Sequence, residues 1–277
     1  MSRICYNILM QLEDILIGTS GYDYPEWKGV FYPQDLKRKD FLSYYATQFN
    51  ALELNNTFYN MPTAERMAAF YERSQGQLYF SVKANRLLTH EVSPAWRDDA
   101  KIFQTAVSPL LEKERLCTVL FQFPQSFHYT PENRIYLAKL IEEFKDFPVV
   151  IEFRHAEWVR PSVFQGLQDR NTSIAYCDMP KLKYLPESKT NDASIFYLRL
   201  HGRNATAWYA DTTDPAAPQS ASARYTYDYS DTELQSFVPV IKTAVLTGKK
   251  PVVFFNNHPN GNGPLNARRL HQMLSQV

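Results

Sequence analysis

The sequence predicts an α/β fold: a single (β/α)8 TIM-type barrel, in which parallel strands close on themselves inside a ring of helices. Three observations predict it. Eight short β-rich runs recur along the 277 residues. Each is followed by a longer segment that is helical in pattern or punctuated by Pro and Gly, the alternation that builds parallel strands with helical crossovers. The Gly-rich phosphate turn that opens a doubly wound open sheet is missing after the first run, and a closed barrel of about 250 residues accommodates eight units in one body.

The first strand is read at Ile15 to Thr19 and is followed by a long connection, Ser20 to Lys39, then a helix near residues 40–50. Strand two, Ala51 to Asn55, leads to a helix at 63–75, and strand three, Leu78 to Lys83, to one at 97–114. Strands four, Cys117 to Phe123, and five, Val149 to Arg154, precede helices at 131–144 and 161–170, where Pro131 and Pro161 occupy favourable first helical positions. Strand six is Ser173 to Asp178. The crossover after it, to Ser194, holds Pro180, Pro186 and the polar run Glu187 to Asp192, so its helix is expected to be short or missing. Strand seven, Ile195 to His201, is followed by the second long connection, Gly202 to Ser230, and a helix at 231–247 that Asp231 and Glu233 open. Strand eight, Val252 to Asn257, and a helix at 264–276 complete the count. Residues 1–277 are read as one domain, with 1–14 as an N-terminal extension.

Hydrophobic residues make up 44% of the chain and aromatics 14%, enough for one large core. The net charge of +1 lacks the positive field of a dedicated nucleic-acid binder. Cys5, Cys117 and Cys177 are odd in number and widely spaced, which argues against a disulfide framework and against a cysteine zinc site. The first fourteen residues mix Asn7, Gln11, Glu13 and Asp14 with apolar residues and do not read as a signal peptide. No apolar run has the length of a membrane span. A cytoplasmic protein with no membrane partner is expected, and its oligomeric state is not legible.

Side chains two apart on a strand share a face, so each strand can be tested for where its polar residues fall. Glu53 and Asn55 share a face at the end of strand two, as do Ser81 and Lys83, Glu152 and Arg154, and Arg199 and His201. Gln122, Asp178 and Asn256 close three other strands, with Asn257 following. Removing charges from water costs several kcal/mol per ion unless they are paired, so such a ring is not built for stability alone. In this fold the C-terminal strand ends carry active sites. Glu53, Lys83, Glu152, Arg154 and His201 are therefore the catalytic candidates. Asn55, Gln122, Asp178, Arg199, Asn256 and Asn257 are the substrate-binding candidates, joined by the loop aromatics Tyr22 and Trp27.

The preferred chemistry uses a Glu as acid or base, with Lys83 and the arginines holding a small anionic or phosphorylated metabolite. A metal-dependent hydrolase or nuclease using Glu152, Asp178 and His201 is the second reading, and a non-catalytic binding protein the third. The cofactor is unknown. A divalent metal fits the carboxylates and imidazole, but the neighbouring cations already match their charge, and no metal ligand is assigned. Asn256 to Pro264 leads straight into the last helix and can serve either as an anion loop or as an ordinary turn. His90, His128 and His155 follow strand ends and are read as packing or surface residues. The aromatics of residues 20–39 and 202–230 are either lids or structural caps.

These residues also resemble a known family. The stretch Gly18 to Pro33 (GTSGYDYPEWKGVFYP) is similar to the N-terminal signature of the domain-of-unknown-function-72, or YecE-like, proteins. So are Glu53 to Tyr59, Phe80 to Lys83, Thr89-His90, Phe121 to Pro124, Glu152 to His155, Tyr197 to Arg203, Phe255 to Asn257 and Asn266-Ala267. Tyr22 stands where the family often has Trp, and Leu200 where Phe is common. The resemblance implies a barrel and no established activity. Its architecture is similar to sugar isomerases and metal-dependent repair nucleases, whose metal-ligand pattern is not reproduced.

Overall fold

The computed structural model describes residues 15–209 and 221–276. The expected extension 1–14 and the middle of the second long connection lie outside them. Nine parallel strands form one sheet: β1 (Leu16–Ser20), β2 (Ala51–Leu54), β3 (Tyr79–Lys83), β4 (Leu116–Gln122), β5 (Val149–Glu152), β6 (Ser173–Ile174), β7 (Tyr176–Asp178), β8 (Ile195–Leu200) and β9 (Lys250–Phe255). Their order is β6-β5-β4-β3-β2-β1-β9-β8-β7.

The ninth strand arises because the expected sixth strand is split. β6 pairs with β5, and β7 pairs with β8. Between them Ala175 still donates its N–H to Ile151 O at 2.9 Å. One stretch of chain thus hands over from one neighbour to the next and closes an eight-position barrel. No helix forms in 179–194, as expected from its prolines.

The crossover helices are α1 (Phe41–Ala46), α2 (Asn56–Tyr59), α3 (Ala64–Arg73), α4 (Trp96–Glu112), α5 (Pro131–Glu143), α6 (Pro161–Gln168), α7 (Ala205–Tyr209), α8 (Asp231–Leu246) and α9 (Asn262–Ser275). α8 begins with a capping box, the Ser230 hydroxyl accepting from the Glu233 N–H while the Glu233 carboxylate accepts from Ser230 N–H.

Two apolar layers follow from strand alternation. Ile17, Leu52, Phe80, Val119, Ile151, Leu198 and Phe255 face the helices in one buried cluster. Leu16, Val150, Cys177, Tyr197, Val252 and Phe254 belong to a second, smaller cluster inside the barrel. At β4 the register slips: Phe80 pairs with Leu116 but Ser81 with Thr118. The extra residue, Cys117, is a bulge that brings Thr118 opposite Ser81. Gly18 is required where β1 passes β2, because a Cβ there would lie 1.9 Å from Ala51 O.

Of the two aromatic connections, the first is a structural cap. Trp27, Phe31 and Tyr32 are buried in the outer core, and Trp27 Nε1–H donates to His258 O at 2.8 Å. No helix among the described residues is long and apolar enough to cross a membrane.

Candidate functional site

Register places Ser20, Glu53, Ser81 and Thr118 side by side on β1 to β4. Their side chains make a hydrogen-bonded row. Thr118 donates to the Ser81 hydroxyl (2.6 Å), which stands 2.7 Å from the Tyr197 hydroxyl; Tyr197 donates to Glu53 Oε2 (2.7 Å) and Ser20 to Glu53 Oε1 (2.6 Å). All five residues are fully buried. This row forms the floor of a polar chamber.

Arg199, on β8, spans the chamber. Its Nη2 meets Glu53 Oε1 at 2.6 Å and its Nη1 meets Glu152 Oε2 at 2.5 Å. Arg154, two residues past Glu152, binds Glu152 Oε1 at 2.5 Å. Burial pushes both carboxyls up, but Arg199 on Glu53, and Arg154 with Arg199 on Glu152, bring them below the usual range. Two carboxylates are thus neutralised by two guanidinium groups in the barrel interior, with each carboxylate oxygen hydrogen-bonded.

His201 lies beside this lattice. Its Nε2 is 3.2 Å from Arg154 Nη2, and its Nδ1 is 3.0 Å from the Asn256 amide. Burial and then Arg154 lower it to about 3, so the imidazole is neutral.

Lys83 closes β3 above the floor. Its Nζ donates to Gln122 Oε1 at 2.9 Å and sits 4.3 Å from the centre of the Phe58 ring. Among the described residues no carboxylate lies within 4 Å of it. Burial, then Arg199, lower its pKa to about 7. Lys83, Gln122, Arg154 and Asn55 are partly exposed, whereas Glu53, Glu152, Arg199 and His201 lie buried beneath. Trp208, from the second aromatic connection, lies over Arg154 at 5.3 Å and packs edge-on to His201 and Tyr225. Trp208 and Tyr225 thus lie over the charged group.

Several donors here have no strong acceptor. Arg199 Nε is buried without one, and Arg154 Nη1 meets only Met179 Sδ at 4.0 Å. Asn55, which precedes α2, has a buried Oδ1 without a hydrogen-bond donor.

The structure therefore brings together Glu53, Lys83, Gln122, Glu152, Arg154, Arg199, His201 and Asn256, with Asn55 at the end of β2. Four expected residues point elsewhere. Cys177, not Asp178, pairs in register with Arg199, so Asp178 is turned to the outer face. There it accepts from Arg203 Nε and Nη2 (2.9 and 2.8 Å) and from the Tyr229 hydroxyl (2.7 Å). Asn257 lies one residue past the inward Asn256, and its amide donates to Tyr227 O and Asn266 Oδ1, both at 2.8 Å. Tyr22 packs against Tyr45 and Phe70 in the outer layer, and Trp27 is core. Sequence reasoning missed Tyr197, Cys177 and Phe58 as members of the site, and it left Trp208 among loop aromatics that are either lids or caps. Tyr197 was readable from alternation alone, being two residues from Arg199.

The metal reading loses its expected ligand Asp178. Cys177 takes that place: ligand atoms of Glu152, Cys177 and His201 lie within 4.8 Å of one another. The fit is poor. Both Glu152 oxygens are held by arginines, and burial, then Glu152, push the Cys177 thiol well above its ordinary value, so a cation would have to displace Arg154 and deprotonate a disfavoured thiol. A second trio, His128, His155 and Glu157, lies at the surface, where the Glu157 N–H already donates to His155 Nδ1. A small cleft lined by Phe153, Trp158, Ile174, Cys177 and Met179 among others opens where β6 gives way to β7 and not over the charged group.

Fold and site together define a parallel α/β barrel with a charged chamber at the C-terminal ends of its strands. The chain belongs to the family described as "Protein of unknown function DUF72", whose profile matches residues 16–277. It is 25% identical over 272 residues to UPF0759 protein YunF of Bacillus subtilis, covering 94% of each chain. A crystal structure of a DUF72 family protein from Thermotoga maritima is similar at a TM-score of 0.84 and 32% identity, covering 95% of this chain and 99% of that one. One from Enterococcus faecalis shares the fold at 0.78 and 23% identity, over 95% and 96%.

Proposed function

We propose that the chamber binds a small anion, a carboxylate or phosphate ester, and carries out acid–base chemistry on it. The observation that carries this is the surplus of donors. Glu53 and Glu152 are satisfied by Arg199 and Arg154, which leaves Lys83 Nζ with a neutral acceptor only, Arg154 Nη1 against a thioether and Arg199 Nε with none. Buried donors left without acceptors cost about 1–3 kcal/mol each, and an anionic oxygen satisfies several at once. The two glutamates, held ionised between arginines, are poor proton carriers, and their part in this reading is to position Arg199 and Arg154. Lys83, with its pKa near neutrality, is the group that exchanges a proton at working pH. A cytoplasmic setting belongs to the same reading and accords with the free buried thiols of Cys117 and Cys177.

A thermal-shift screen with inorganic phosphate, sugar phosphates and small carboxylates tests it. An anion at 100 times its dissociation constant adds roughly 2.7 kcal/mol, or about 5–11 °C in a chain of this size. Wild type should move, and Arg154→Ala should lose most of the shift. If no anion moves the midpoint of wild type, the reading is wrong. Metal analysis of protein purified without chelator checks the weaker metal alternative.

A further inference from the structure

We propose that Lys83 is a covalent nucleophile, whose amine forms an imine with the carbonyl of a small aldehyde or ketone that also carries a carboxylate or phosphate. This rests on the anion reading above and deepens it by naming the substrate class. The geometry sets Lys83 apart from an ordinary interior lysine. Its Nζ stands at the partly open end of β3, over the Phe58 ring and against the neutral Gln122 amide oxygen, while the nearby carboxylates are committed to Arg199 and Arg154. An ammonium ion there has no counter-ion of its own within 4 Å: burial weighs most against it, and the Arg199 and Arg154 charges that disfavour it are opposed by those of Glu152 and Glu53. The neutral amine is the favoured form, and a pKa near 7 leaves roughly a thousandfold more of it at neutral pH than an ordinary lysine has.

The remaining parts of the chamber suit such a substrate. Arg154 Nη1, which meets only the Met179 thioether, is the donor offered to the anionic group, and Trp208 lies over the Arg154 guanidinium at 5.3 Å. In the step itself the amine lone pair attacks the carbonyl carbon, forming a C–N bond while the π pair moves to oxygen. The nitrogen then gives up both hydrogens, the oxygen departs as water, and the neutral imine takes one proton from solvent. No oxidant or reductant is required.

Borohydride trapping tests this. The protein is incubated at neutral pH with pyruvate, glyoxylate or dihydroxyacetone phosphate, reduced with sodium borohydride, and digested for peptide mass mapping. The expected result is a stable secondary amine on the Lys83 peptide, heavier by the probe minus one oxygen atom, and absent from Lys83→Gln and Lys83→Arg. Both variants are checked for folding by a cooperative thermal transition, and the phosphate-induced shift is read on wild type. An anion shift in wild type without any Lys83 adduct overturns the imine and leaves the anion reading standing. Neither shift nor adduct overturns both. Adducts spread over other lysines, with Lys83 unmodified, also overturn the imine.

Discussion

Arg199 is the residue on which the interior charge balance turns. It is 2% exposed, and its two terminal nitrogens each hold a different, fully buried carboxylate. Removing one member of a buried ionic group strands its partners, at a cost of about 3–5 kcal/mol. Arg199→Met should therefore lower unfolding free energy by that amount in denaturant titration, and adding Glu53→Gln and Glu152→Gln should recover part of the loss. A triple variant no more stable than the single one would contradict the lattice. pH separates the remaining groups. The folded pKa of Lys83 is lowered from 10.5 to about 7, so between those values the unfolded chain holds more protons and stability rises with pH. His201, lowered from 6.5 to about 3, imposes the same sign lower down: stability falls as pH drops from 6.5 toward 3. Lys83→Met should flatten the first slope and His201→Asn the second, read from thermal midpoints across pH.

Strands settle which of these residues meet. β7 shows how a one-residue difference in parity changes a role: Cys177 lies level with Arg199, and Asp178 is turned out to Arg203 and Tyr229. Asp178→Asn should cost about 1–3 kcal/mol through those lost charge-assisted bonds, yet leave any anion-induced thermal shift intact. Loss of that shift would return Asp178 to the chamber. The converging glutamates, arginines, Lys83 and His201 were legible because each lies two residues from another polar residue on an apolar strand. Asp178 and Asn257 were misplaced by treating the last residue of a strand as inward without counting parity from a fixed neighbour. Tyr22 and Trp27 were misplaced for another reason. Composition marks residues 20–39 as aromatic, but whether such a loop stacks a ligand or seals a core depends on the distant residues it meets, such as Phe70 and His258.

At the scale of the whole molecule, the eight-unit rhythm carried the barrel and the missing sixth crossover helix. The split of strand six into β6 and β7 was not legible, since it depends on closure geometry rather than on any local residue preference. The barrel brings together groups from β2, β3, β5 and β8 that are separated by up to 146 positions in sequence, as between Glu53 and Arg199. A net charge of +1 conceals this entirely: the concentration of cationic donors is local, at one end of the strands. The most direct measurement is an NMR titration of lysine side-chain signals, with Lys83 assigned by its loss in Lys83→Arg, recorded with and without inorganic phosphate. The account requires one lysine that titrates near pH 7 and moves upward when phosphate binds. A Lys83 signal that titrates near the ordinary lysine value and ignores phosphate would contradict it.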